Sequence, residues 1–151
     1  MKGQSEMKRS EIREAAFYLT FERLFYNGYE NAEDMLIDAT NEADIFDVPP
    51  DVEALFKGVS LKAEELDGII ARYSEKRQVS RIAKVSRAIL RLALYEFLYD
   101  DKVPGNVAIS EAVLLAKKFA LEGDVQFING VLGEFSRQTE GLEKVQNGSV
   151  S

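Results

Sequence analysis

The stretch VSRIAKVSRAILRLALYEF, Val79 to Phe97, has a helical pattern that decides the fold class. At 100° per residue, counted from Arg77, its basic side chains fall within a wedge of about 120° and apolar side chains fill the opposite side. The pattern predicts an amphipathic helix from about Ser80 to Tyr99 with one basic face, which is either solvated surface or a site for phosphates or an acidic partner. The basic residues of the wedge are Arg81, Lys84, Arg87 and Arg91. 

Two charged residues of this stretch interrupt runs of apolar residues in the sequence. Arg91 interrupts the run LRLALYEF, so we expect it to pair with Glu96 or a carbonyl rather than face solvent. Glu96 stands between two aromatic residues, and a buried carboxylate that is paired or caps another helix is a more ordinary interpretation than a catalytic acid.

The rest of the chain reads as further helices separated by short breaks, and no segment alternates long enough to predict a strand. The sequence therefore predicts an all-α protein of about six or seven helices. The expected helices run from Ser10, as N-cap, to Asn27-Gly28; from Asn31 to near Asp44; through Val52, Leu55 and Val59, with Asp51 as cap; from Ser60 to Tyr73; from Ser80 to Tyr99; from Val107 to Ala120; and from Gly123-Asp124 to about Gln138.

Composition limits the possible functions. The 151 residues include no histidine and no cysteine, which excludes Ser-His and Cys-His catalysis, disulfides and thiolate metal sites. The remaining acid pairs lack metal-loop spacing, so no enzyme, no metal and no cofactor are predicted. No apolar run of about 18 residues and no secretory segment are visible, so the predicted location is cytoplasmic.

The stretch MKRSEIREAAF, Met7 to Phe17, raises the question of a polyanion site, because the chain has a formal charge of −7. Lys8, Arg9 and Arg13 surround two acids there. Taken alone, the stretch is typical of a solvated helix start.

The segment GDVQFINGVL, Gly123 to Leu132, carries two unusual residues. Gly130 within a helix costs about 1 kcal/mol relative to Ala, so we expect another helix to approach it closely. Phe127 is either a core residue or an exposed platform on which a base of single-stranded RNA stacks.

Three signatures give the chain a family resemblance. LRLALYE (Leu90 to Glu96), VPGNVAISEAVLLAKKF (Val103 to Phe119) and FINGVL (Phe127 to Leu132) resemble the NusB family of bacterial transcription antitermination factors. The resemblance covers about Lys8 to Gln138. It implies two perpendicular three-helix bundles, about 7–75 and 76–138, with a flexible extension at 1–6 and a flexible tail at 139–151.

The resemblance also implies a function. Members bind the boxA element of nascent ribosomal RNA transcripts together with NusE, a small-subunit ribosomal protein, and help RNA polymerase pass termination signals. They are monomers or homodimers, and no cofactor is implied. Ser10 and Glu11 stand where other members carry arginine. The implied RNA-binding residues are Lys8, Arg9, Arg13, Glu122, Asp124, Gln126 and Phe127.

Contact with the protein partner is expected from Arg81, Lys84 and Arg87 on the basic-faced helix, where Ser86 replaces an acid of other members. The alternative function is a helical interaction or dimerisation module without RNA binding. A carboxylate-only hydrolase has no supporting constellation.

Overall fold

The computed structural model describes residues 7–75 and 77–139, and within these ranges it contains helices and no strand. This confirms the all-α prediction. The predicted extension at 1–6 lies outside the described residues, and so does the predicted tail at 139–151 except for Thr139. Along the described residues, seven α-helices follow one another: α1 (Arg9–Arg23), α2 (Ala32–Glu42), α3 (Pro50–Leu61), α4 (Ala63–Tyr73), α5 (Lys84–Tyr99), α6 (Gly105–Phe119) and α7 (Glu122–Gln138).

The first compact unit ends at Leu61 and contains α1, α2 and α3. Helix α1 packs against both of the other helices. Its buried residues Ala16 and Leu19 are spaced to share one face, and Val52 and Phe56 form the corresponding face of α3. The burial of these apolar faces stabilises this three-helix bundle.

The start of α1 differs from the expected one. Ser10 was predicted to cap the helix, but Lys8 occupies the N-cap position and Ser10 lies inside the helix. The backbone N–H of Lys8 donates to a carboxylate oxygen of Glu11 at 2.8 Å. Glu11 satisfies this donor, so the N-cap can lie two residues before the expected one.

The second compact unit begins at Lys62 and contains α4 to α7. Helix α5 packs against α4, α6 and α7, and every residue from Ala88 to Leu94 is buried. Helix α5 is therefore the centre of this unit. The contacts place α4 here because its Leu66 and Ile70 are fully buried and the helix packs against α5 and α7. The resemblance instead assigns residues up to about 75 to the first bundle.

The predicted helix from Ser80 to Tyr99 is interrupted near its start. Val79–Arg81 form a short 3₁₀ turn, the backbone is extended at Ile82, and Ala83 is the non-helical N-cap before α5 begins at Lys84. This break lets Ile82 enter the core, where it is buried. Arg81 therefore does not continue the helical face of Lys84 and Arg87, and the single basic wedge was wrong at this end.

Arg91 is buried as expected, but its partner differs from the prediction. Its guanidinium donates two hydrogen bonds to Asp67 of α4, at 2.9 and 2.7 Å. Arg87 donates a third to the same carboxylate at 3.0 Å. The buried Glu96 is one turn further along α5 and is not the acceptor of these bonds. Asp67 thus joins α4 to α5 through two arginines.

Candidate nucleic-acid interface

The first group of predicted RNA-binding residues lies at the start of α1. Lys8 and Arg9 are exposed, whereas Arg13 is only 3% exposed. A cation near a helix N-terminus opposes the helix dipole, so the position of Lys8 and Arg9 is not explained by helix stability. These two side chains present positive charge to solvent. An RNA contact by Arg13 stays a prediction, and its burial gives it a structural role as well.

The second group lies at the start of α7, where a three-residue arrangement forms. The guanidinium carbon of Arg77 lies 4.1 Å from the centroid of the Phe127 ring. Its Nη1 donates to a carboxylate oxygen of Asp124 at 3.3 Å. Phe127 is half-buried, so it is neither a pure core residue nor a fully open platform. Arg77 covers one face of the ring, and Asp124 holds Arg77 there.

A cleft of about 320 Å³ opens beside this arrangement. Gly130 was expected to allow close approach of another helix, but a Cβ added there would meet no atom within 4 Å. The expectation was wrong because Gly130 faces the open cleft. Its missing side chain keeps this space free. The lining includes Tyr73, Glu75, Arg77, Phe127, Gly130 and Val131.

The other predicted residues of α7 are more ordinary. Glu122 and Asp124 lie in its first turn, where acidic side chains stabilise the helix dipole. Glu122 and Gln126 are exposed, and the side chain of Asp124 is mostly buried. The structure thus brings Asp124 and Phe127 together through Arg77 and leaves Glu122 and Gln126 on the surface.

Arg77 was missed as a site residue. It lies 47 residues before its partner Asp124, and only the packing of the segment after α4 against α7 brings them together. The excess of arginine and lysine between residues 72 and 91 was the available signal, but it could not single out Arg77.

The predicted partner-binding residues do not form one equivalent set. Arg81 and Lys84 are exposed, whereas Arg87 is half-buried in its ion pair with Asp67. Ser86 is fully buried on α5. Of the three basic residues, Arg81 and Lys84 are the most accessible to another protein.

Over the described ranges, no group of three or more aspartates and glutamates is arranged to hold a metal ion. None of the helices in these ranges is long and apolar enough to cross a membrane.

Comparison with known families places this geometry in context. The sequence model of the NusB family matches residues 10–137, which is most of the chain. The chain belongs to the NusB family. It is 37% identical over 133 residues to the transcription antitermination protein NusB of Agathobacter rectalis, covering 86% of this chain and 100% of that protein. The NusB protein of Acetivibrio thermocellus is 51% identical over 78 residues, a match that spans 54% of that relative.

Solved structures of NusB proteins have the same fold. Thermotoga maritima NusB superimposes with a TM-score of 0.76 at 30% identity, covering 88% of this chain and 93% of that one. A crystal structure of the antitermination factors NusB and NusE with double-stranded RNA has a TM-score of 0.70 at 26% identity, covering 86% and 96%. The structural likeness therefore extends over nearly the whole of each of these two solved chains.

Proposed function

We propose that this chain is an RNA-binding transcription antitermination factor that acts in the cytoplasm as a scaffold and not as a catalyst. It binds boxA of nascent ribosomal RNA together with ribosomal protein NusE and promotes transcription by RNA polymerase. The observation that carries the proposal is the NusB-family match over residues 10–137. The likeness to a chain crystallised with NusE and RNA supports it further.

Two surfaces of the chain are suited to different parts of an RNA strand. Lys8 and Arg9 are exposed cations, which bind phosphates without regard to sequence. Phe127 and its neighbours offer an aromatic and planar surface for an unpaired base. We expect the first surface to set the salt dependence of RNA binding and the second to favour single-stranded segments.

Contact with NusE is proposed at Arg81 and Lys84, which are exposed just before and at the start of α5. Arg87 contributes less to this contact because Asp67 already accepts a hydrogen bond from it. Docking NusE beside bound RNA joins two RNA-binding surfaces in one complex. Once one surface holds the RNA, the effective concentration of the RNA at the other surface is raised.

The phosphate-contact part of the proposal predicts a change in salt dependence. Lys8→Ala and Arg9→Ala should each weaken binding to a boxA-containing RNA and reduce the slope of log affinity against log salt by about one. Fluorescence anisotropy of labelled RNA over a salt series measures both quantities. Lys57→Ala is the matched control, since Lys57 lies on α3 and already pairs with Asp34 and Glu53. Equal slopes for Arg9→Ala and the control would remove α1 from the RNA site.

One observation favours the alternative, a dimerisation or interaction module without RNA binding. Val107 and Leu114 are exposed apolar residues seven apart on α6, so they share a helix face that suits pairing with another helix. Leu121, also exposed, lies beyond α6 at the N-cap of α7. This alternative predicts a stable self-complex in sedimentation velocity and no RNA binding at about 100 mM salt. A monomer that binds RNA would exclude it.

A further inference from the structure

We propose that Arg77 is a nucleobase-stacking residue of the RNA site and that Asp124 is its positioning residue. The proposal rests on the proposed RNA-binding function and deepens it, since it names how one base is held. Arg77 was not among the residues that the family resemblance implies.

The first step is the orientation of Arg77. Its guanidinium carbon stands 4.1 Å from the Phe127 ring centroid, a distance at which the planar group contacts the ring face. The carboxylate of Asp124, 3.3 Å from Nη1, fixes the guanidinium on this ring. An arginine held by an aromatic ring and a carboxylate loses little conformational freedom when a ligand binds.

The second step is the accessibility of Arg77. Its side chain is 42% exposed, so Phe127 and Asp124 together leave much of it open. The cleft of about 320 Å³ next to it is bounded by Tyr73, Phe127 and Gly130. This volume is at the lower end of the range of about 300–1,000 Å³ for small-ligand pockets. It suits a single unpaired base and not a duplex.

The third step concerns charge. Asp124 offsets the positive charge of Arg77, and Glu75 lies on the same cleft. A phosphate would meet a partly neutralised cation and a neighbouring acid, which weakens a purely electrostatic contact. A base has no charge and stacks favourably on a guanidinium plane. The surroundings of Arg77 therefore favour a base over a phosphate.

This difference in contact type makes the proposal testable by a charge-conserving substitution. Arg77→Lys keeps the positive charge and removes the planar stacking surface. It should lower affinity for a boxA-containing RNA about tenfold, while the salt slope stays that of the unmodified chain. Arg137→Lys is the matched control, because Arg137 is an exposed arginine of α7 that pairs with Glu134. Its affinity should not change.

A second variant separates the cleft from the stability of the fold. Gly130→Gln places a side chain in open space on a helix and replaces the less favourable glycine, so the melting temperature should hold or rise. The same side chain fills the cleft and should weaken RNA binding several-fold. Both variants are measured on the full chain by anisotropy, with melting followed by circular dichroism.

Each outcome has a definite meaning. Unchanged affinity in both Arg77→Lys and Gly130→Gln overturns the stacking role and leaves the proposed function intact. Normal affinity in Arg77→Lys, with a lower salt slope in Arg77→Ala, would make Arg77 a phosphate contact and also overturns it. If the unmodified chain binds no RNA, with or without NusE, the proposed function and this inference both fail.

Discussion

Gly105 begins α6 directly against the ring of Phe97. A Cβ added at Gly105 would lie 2.5 Å from one ring carbon of Phe97 and 2.9 Å from the next. The ring cannot easily withdraw, because it packs edge-on against Phe135 of α7 with centroids 4.9 Å apart. At the residue scale, the absence of one side chain lets α5, α6 and α7 meet.

Gly105→Ala should therefore destabilise the protein. We expect the free energy of unfolding to fall by about 1–3 kcal/mol, the usual cost of overpacking a closely packed site. Urea denaturation followed by circular dichroism gives the value. Gly68→Ala on α4 is the control, since an added Cβ meets nothing there and the free energy of unfolding should rise by up to about 1 kcal/mol. A Gly105→Ala protein as stable as this control would contradict the packing argument.

Residue-scale predictions succeeded where periodicity decides and failed where contacts between distant segments decide. The burial of Arg91 followed from its position in an apolar run, but its partner Asp67 is 24 residues away and cannot be identified from spacing. Gly130 shows the same limit. The sequence reveals that a glycine stands in a helix, but only the packed structure shows that it faces an open cleft.

Asp67 of α4 joins this helix to α5 by accepting hydrogen bonds from Arg91 and Arg87. Burial by itself would raise the pKa of this carboxyl, but the hydrogen bonds and charges of Arg91 and Arg87 outweigh it and hold the pKa below its usual range. A lowered folded-state pKa means that this carboxylate stabilises the fold at pH values above its unfolded pKa. The contribution is lost as the pH falls through the folded pKa.

Asp67→Asn should accordingly lower the free energy of unfolding by about 1–3 kcal/mol near pH 7, because two arginines lose their charged partner. The difference from the unmodified chain should shrink as the pH falls below the ordinary value of 3.8. Urea titrations at a series of pH values measure this difference. Glu134→Gln is the control, since its ion pair with Arg137 is largely exposed and should contribute little at any pH. A pH-independent cost for Asp67→Asn would count against the ion-pair explanation.

Helix existence was predictable from the sequence, but some ends and breaks were not. Apolar periodicity with proline and glycine breaks located the helices of the part of the chain that the structure describes. Neither Ile82 nor Ala83, the two non-helical residues before α5, is a proline or a glycine, so no residue type marked this break in the sequence. The break is stabilised by tertiary packing, because it allows the side chain of Ile82 to be buried in the second unit. This break also separates Arg81 from the helix face on which it was predicted.

At the scale of the whole molecule, the net charge of −7 opposes binding to RNA. The proposed function therefore depends on local features: two exposed cations at the start of α1 and a stacking site beside α7. Few phosphate contacts give weak and salt-sensitive binding by the chain alone. A second protein that contacts both this chain and the same RNA raises the affinity of the complex for the RNA, because the second contact forms within one complex. The proposed function therefore requires cooperative binding with NusE.

The most direct test is the affinity of a labelled boxA-containing RNA for this chain alone, for NusE alone and for both together at about 100 mM salt. We expect the two proteins together to bind this RNA at least about tenfold more tightly than either protein alone, and we expect a scrambled RNA to lose this gain. A double variant, Arg81→Ala with Lys84→Ala, should reduce the gain without changing binding by the chain alone. RNA affinity that is the same with and without NusE would show that the two proteins do not bind cooperatively.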